Sequence, residues 1–153
     1  MSKADVYWYR FLEATGRDRE EKCAGDMTFE AHGFVGDELL SLVLTGKKTA
    51  LFTSYATYAE DNEPLPATGE LYVVLDRAET PRCIIETTGV TIVPFDEVTW
   101  EMAQLEGEDE NLEAWRGKHK EYLEDEGAVV GFDFSPGIKL VFQTFRVVYS
   151  GIL

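Results

Sequence analysis

Gly46-Lys47-Lys48-Thr49-Ala50 places two amines and a hydroxyl side by side. A lysine in a partly dry cleft tends to lose its proton unless a carboxylate holds it charged, and that balance suits it to act as a base, an oxyanion donor or a ligand contact. The plainer role is structural. Two lysines beside the last carbonyls of a helix complement its dipole, worth ~0.3–1 kcal/mol when exposed. Further on, Trp115, His119 and Tyr122 stand four and three residues apart, on one helical face. Such a face either packs at the core edge or offers a wall for a base, because aromatic rings stack on any base without hydrogen-bond discrimination. Arg146 interrupts an apolar run between Phe145 and Val147. It either reaches to solvent or an acid, or meets a phosphate in a cleft.

Charge limits the partners. The 153 residues hold 29 acidic and 14 basic side chains, for a net charge of −15. A protein that grips a long phosphate backbone normally offers a basic stripe that releases counterions, and this balance repels such a polymer at long range. Long duplex nucleic acid is therefore not an expected partner, and a nucleic-acid ligand should be small or held locally. The two histidines, His32 and His119, and the two cysteines, Cys23 and Cys83, show no metal-ligand spacing. No metal and no cofactor are expected, and the cysteines read as free thiols in a reducing cytoplasm. No apolar run has the length of a signal peptide core or a membrane span, so a cytoplasmic protein with no membrane partner is expected.

The elements that must position these residues can be read in outline. The apolar fraction of 44% and the three Trp, nine Phe and seven Tyr are those of a packed chain. Residues Ala4 to Ala14 approximate a helical stripe that Gly16 stops, and Arg17 to Asp26 reads as exposed helix or loop. Asp37 is a plausible N-cap for a second helix, with Leu40, Val43 and Leu44 on one face and Gly46 fitting the left-handed residue beyond it. Thr49 to Tyr58 is rich in β-branched and aromatic residues and predicts a strand. Asp61 to Pro66 is a loop. Glu70 to Asp76, Arg82 to Val93 and Ile138 to Tyr149 predict three more strands, joining the first in one sheet. Between the last two lies a helical insert, Pro94 to Glu126, in which Phe95 to Leu105 reads as one short helix and Leu112, Trp115, His119 and Tyr122 mark another. Strands flanking segregated helices predict an α+β domain, closed as a small mixed β-barrel to hide its edges.

Several segments in register resemble the ASCH family, a branch of the PUA-like small barrels. They are Phe34, Gly36-Asp37-Glu38-Leu39-Leu40, Gly46 to Ala50, Glu63-Pro64-Leu65-Pro66, Cys83 to Thr88, Pro94 to Val98, Glu106-Gly107-Glu108, Trp115 to His119 and Phe145 to Tyr149. The resemblance covers about residues 34–149. With it, residues 1–33 read as a helical extension packed on a domain of residues 34–153, one structural domain overall. It implies a β-barrel flanked by helices, with a cleft for RNA or a modified nucleoside. Members have been assigned as RNA-binding modules, ribonucleases, or amidohydrolases of N4-acetylcytidine. In the amidohydrolase branch a Lys, a Thr and a Glu form the catalytic set, and the Lys falls on Lys48 and the Glu on Glu106.

The Thr falls on Leu51, which can neither attack a carbonyl nor pass a proton. Thr49 or Thr53 would then have to supply the hydroxyl, yet in a regular strand Thr53 stands two residues, about 6.6 Å, from that place. The candidate catalytic residues are thus Lys48, Glu106, Thr53 and Thr49, and the candidate ligand contacts are Lys47, Ser54, Trp115, His119 and Arg146. Without the resemblance, Lys48 and Glu106 would read as a surface ion pair of little energetic weight. The leading expectation is recognition of a nucleobase, nucleoside or short RNA, with hydrolysis of an N4-acylcytidine-type amide as its enzymatic form. The rival is a noncatalytic module whose acidic helical insert, Glu101 to Glu126, meets a basic protein.

Overall fold

The computed structural model describes residues 1–29 and 36–151. His32 and Phe34 lie outside the described residues, as does any N-cap of the second helix. The chain forms two compact units: Met1–Gly46, Thr68–Thr88 and Phe145–Leu153 make the first, and Lys47–Ala67 and Gly89–Thr144 the second.

In the first unit, helix α1 (Lys3–Thr15) begins at a reciprocal cap in which the Ser2 hydroxyl accepts from Asp5 N–H and the Asp5 carboxylate accepts from Ser2 N–H. It ends where Gly16 takes φ 69°, a conformation that costs glycine nothing. Tyr7, Trp8, Phe11 and Leu12 pack on Leu71 and Val73 of β3 (Leu71–Leu75) and Ile84 of β4 (Pro81–Pro94). Strands β3 and β4 are antiparallel, with Val73 opposite Ile84. Helix α2 (Gly36–Leu44) buries Leu39, Leu40 and Val43 and is followed by Gly46 at φ 79°, as the sequence predicts.

In the second unit, β2 (Ala50–Ser54) pairs antiparallel with β5 (Lys139–Ser150), from Ala50 opposite Thr144 to Ser54 opposite Leu140, one residue to one. Helix α3 (Tyr55–Glu60) follows β2 directly. Between β4 and β5 come a 3-10 turn at Phe95–Glu97, helix α4 (Trp100–Ala103), a second 3-10 turn at Gln104–Glu106 and helix α5 (Leu112–Val130). Phe52, Val93, Phe95, Trp115, Leu123 and Leu140 form the core of this unit. A short strand, β1 (Gly25–Thr28), completes the sheet, whose order is β1-β3-β4-β5-β2 and in which β1 runs parallel to β3. All four predicted strands lie in this one sheet.

Four details differ from expectation. Asp37 lies inside α2 rather than capping it, and its carboxylate instead accepts the backbone N–H of Arg77 at 2.8 Å. The strand at Thr49 to Tyr58 stops at Ser54, whose hydroxyl caps α3 by accepting Thr57 N–H and so draws a β-prone run into a helix. The single helix at Phe95 to Leu105 is broken, because Thr99 restarts the chain as a new N-cap with its hydroxyl on Met102 N–H. Within Arg17 to Asp26, Gly25 and Asp26 enter β1.

Candidate functional site

Two backbone contacts in the second unit bring the Lys47-Lys48 junction to the Gln104–Glu106 turn. Thr49 N–H donates to the Leu105 carbonyl at 2.7 Å. Gly107 then leaves the turn at φ 71°, so close to Lys47 that a Cβ on it would sit 2.5 Å from the Lys47 carbonyl oxygen. Only glycine fits both the conformation and the approach.

The side chains that meet here are charged and buried. Lys48 Nζ lies 2.7 Å from Glu108 Oε2 and 3.5 Å from Glu106 Oε2, with both lysine and Glu106 almost wholly withdrawn from solvent. Glu106 is held by three further nitrogens: Trp115 Nε1–H donates to Oε1 at 2.7 Å, His119 Nε2 lies 2.9 Å from Oε1, and Phe52 N–H donates to Oε2 at 3.3 Å. Burial raises the Glu106 carboxyl, but the His119 hydrogen bond, the Lys48 charge and the Trp115 hydrogen bond outweigh it and hold the group down at about 2. Glu108 passes the chain of charges outward, with Oε1 at 3.2 Å from Lys118 Nζ, which also lies 3.0 Å from Asp109 Oδ2. Each ring nitrogen of His119 faces an acceptor, Nδ1 at 3.0 Å from the Trp115 carbonyl and Nε2 at Glu106.

The other predicted residues are distributed less favourably. Lys47 is exposed, and the Thr49 hydroxyl lies 3.5 Å from the Leu105 carbonyl. Along β2 burial alternates, with Ala50, Phe52 and Ser54 buried and Leu51 and Thr53 half-buried on the other face. The unbroken register leaves no bulge that would bring Thr53 to the place of Leu51. Thr53 instead hydrogen-bonds Tyr58 OH at 3.4 Å, and Ser54 is engaged as a cap and with Thr57, whose hydroxyl donates to Glu126. Trp115 is fully buried, its ring covered by Phe95, Phe52 and His119, with which it stacks at 4.1 Å between centroids. It therefore orients Glu106 rather than presenting a face to a base. His119 keeps a partial exposure of 12%. Arg146 belongs to the first unit, where its guanidinium donates twice to Glu86 Oε1, at 2.7 and 3.0 Å.

Glu108, Asp109 and Lys118 were not among the predicted site residues. Glu108 and Lys118 lie within segments that carry the family resemblance, Glu106-Gly107-Glu108 and Trp115 to His119, but nothing in the sequence pairs either of them with Lys48 or with each other.

The ASCH domain family model matches residues 25–149. A protein of Enterococcus faecalis V583 is 33% identical, with a TM-score of 0.84 over 95% of this chain and 88% of that one. An ASCH domain from Lactobacillus crispatus JV V101 is 27% identical, with a TM-score of 0.86 over 96% of this chain and 94% of that one. No curated protein matches the sequence. The expected α+β fold is shared with these structures, as a mixed five-stranded half-barrel sheet with helices whose end strands are β1 and β2, where the sequence predicted a closed barrel. With the family pattern spanning the charged constellation and both β2 and β5, the chain belongs to the ASCH domain family.

Proposed function

We propose that the chain binds a nucleobase or nucleoside, free or within a short RNA, beside Lys48 and Glu106, and that it acts as a binding domain rather than as an amide hydrolase. The observation that carries this is the burial of Lys48 between two carboxylates, with Glu106 fixed by three nitrogens. Stability alone gives weak reason for such an arrangement, because well-packed apolar groups in place of a buried ion pair are often as stable or more so. Buried titratable groups with strongly shifted protonation gather at functional sites. Solvent reaches the constellation where Lys118 is a quarter exposed and His119 is partly so. Donors and acceptors at such a margin suit the carbonyl and amine edges of a base.

Leu51 supports binding over hydrolysis, since the hydroxyl on its face of β2, that of Thr53, stands two residues along an unbroken register and is bonded to Tyr58. Titration calorimetry with cytidine and N4-acetylcytidine tests the reading. The natural protein should bind at least one of them, and Lys48→Ala should weaken that binding about tenfold, the loss expected for a charge-assisted hydrogen bond. Equal affinity in the variant would remove Lys48 from the site. Turnover of N4-acetylcytidine should be slow or absent. Leu51→Thr should raise it, provided circular dichroism shows the variant folded, because the change also costs roughly 1–3 kcal/mol of apolar contact. Full turnover by the natural protein would refute the noncatalytic assignment.

A further inference from the structure

The two carboxylates at Lys48 are held in different ways. Glu106 would stay in place if Lys48 left it, since Trp115, His119 and Phe52 all contact it. Among the described residues the polar partners of the buried Glu108 carboxylate are ammonium groups, Lys48 at 2.7 Å through Oε2 and Lys118 at 3.2 Å through Oε1. The backbone beneath both is clamped by Gly107 against Lys47 and by Leu105 against Thr49. Of this group, the Glu108 side chain is therefore the part that can move without breaking the turn.

We propose that Glu108 is a specificity residue of this site, a resident carboxylate that occupies Lys48 until the carbonyl of a neutral ligand replaces it, and that Lys118 retains the displaced Glu108. This rests on the nucleobase reading above. Charge selects the ligand class. After displacement Lys48 keeps Glu106 at 3.5 Å and Lys118 keeps Glu108 and Asp109, so a neutral carbonyl completes Lys48 without adding charge. A phosphate would add negative charge where three carboxylates already outnumber the ammonium groups of Lys48 and Lys118, in a chain of net charge −15. Nucleosides and free bases should thus bind better than the matching nucleotides.

Two variants test this by opposite signs. Glu108→Gln leaves each lysine a carboxylate, so the fold should persist, and cytidine affinity should rise about tenfold as the competitor weakens. Lys118→Met removes the receiving group and should lower cytidine affinity, whereas a purely structural role would move both variants the same way. Cytidine 5′-monophosphate should bind more weakly than cytidine to the natural protein. A ligand-free measurement separates this proposal from the reading beneath it: acetylation of Lys48 by sulfosuccinimidyl acetate, mapped by mass spectrometry, should speed up several-fold in Glu108→Gln. Unchanged acetylation overturns the hold of Glu108 on Lys48. Faster acetylation with unchanged or lower cytidine affinity overturns the competition. If no variant and not the natural protein binds any nucleoside, the nucleobase reading falls and the ligand class proposed here falls with it, while acetylation still decides whether Glu108 holds Lys48.

Discussion

Glu106→Gln is expected to destabilise the protein by roughly 3–5 kcal/mol at neutral pH, the usual cost of removing one partner from a buried ion pair. The amide offers one acceptor oxygen where the carboxylate offers two, so its NH2 group is turned toward buried donors among Trp115, His119, Phe52 and Lys48, and Lys48 is left with Glu108 alone. The same carboxylate should govern acid unfolding. Folding lowers its protonation from an ordinary 4.5 to about 2, so between those values the unfolded chain binds the proton more tightly than the folded one. The contribution is complete above about pH 4.5 and is lost as pH falls through about 2; it amounts to about 3 kcal/mol for a shift of this size. Urea titrations at pH 7, 4 and 2.5 should therefore show the gap between the natural protein and Glu106→Gln narrowing as pH falls. A gap constant across this range would mean that the folded protein does not hold Glu106 ionised.

Gly107→Ala should be nearly as severe. The added Cβ meets backbone, 2.5 Å from the Lys47 carbonyl oxygen and 2.9 Å from its carbon, and the residue is left at φ 71°. Left-handed strain and overpacking together predict a loss of roughly 2–4 kcal/mol. Relief can come only from separating the turn from the Lys47-Lys48 junction, so nucleoside affinity should fall alongside stability. Gly117→Ala is the matched control. Gly117 is exposed within α5 with open space where a Cβ would sit, and alanine there should stabilise by roughly 0.5–1 kcal/mol. Chemical unfolding of both variants checks the pair, and equal stabilities would show that the close approach at Gly107 is not real.

Strands such as β3 and β5 were legible because their runs of Val, Leu, Phe and Tyr are strand-forming residues that the sheet also buries in large part. Strand β1 was not, since Gly-Asp-Met-Thr holds one large apolar residue and is fixed by backbone pairing to β3. The ends of β2 and of the helix after Pro94 were missed for a different reason. Single hydroxyls, on Ser54 and Thr99, override the propensity of the residues around them by satisfying the first amides of a helix. Of the site, Lys48 and Glu106 could be read through the family pattern, and the geometry sets them 3.5 Å apart. Glu108 could not, because its partner lies 60 residues away and acidic residues are abundant in this chain. Trp115 illustrates the limit of spacing, which placed it on one helical face with His119 without distinguishing a ring that stacks on a base from one buried to orient Glu106.

The distance in sequence between Lys48 and Glu106, which meet only in the folded chain, also makes unknown ligands searchable. An unfolded chain does not hold these groups together, so a molecule that needs the site they form binds the native state alone. By mass action, a ligand at a hundred times its dissociation constant then adds about 2.7 kcal/mol to stability. For a domain of this length each kcal/mol moves the melting midpoint by about 2–4 °C. A library of bases, nucleosides and nucleotides can accordingly be ranked by melting temperature, and a compound that warms the natural protein but not Lys48→Ala reports the site without any assay of activity.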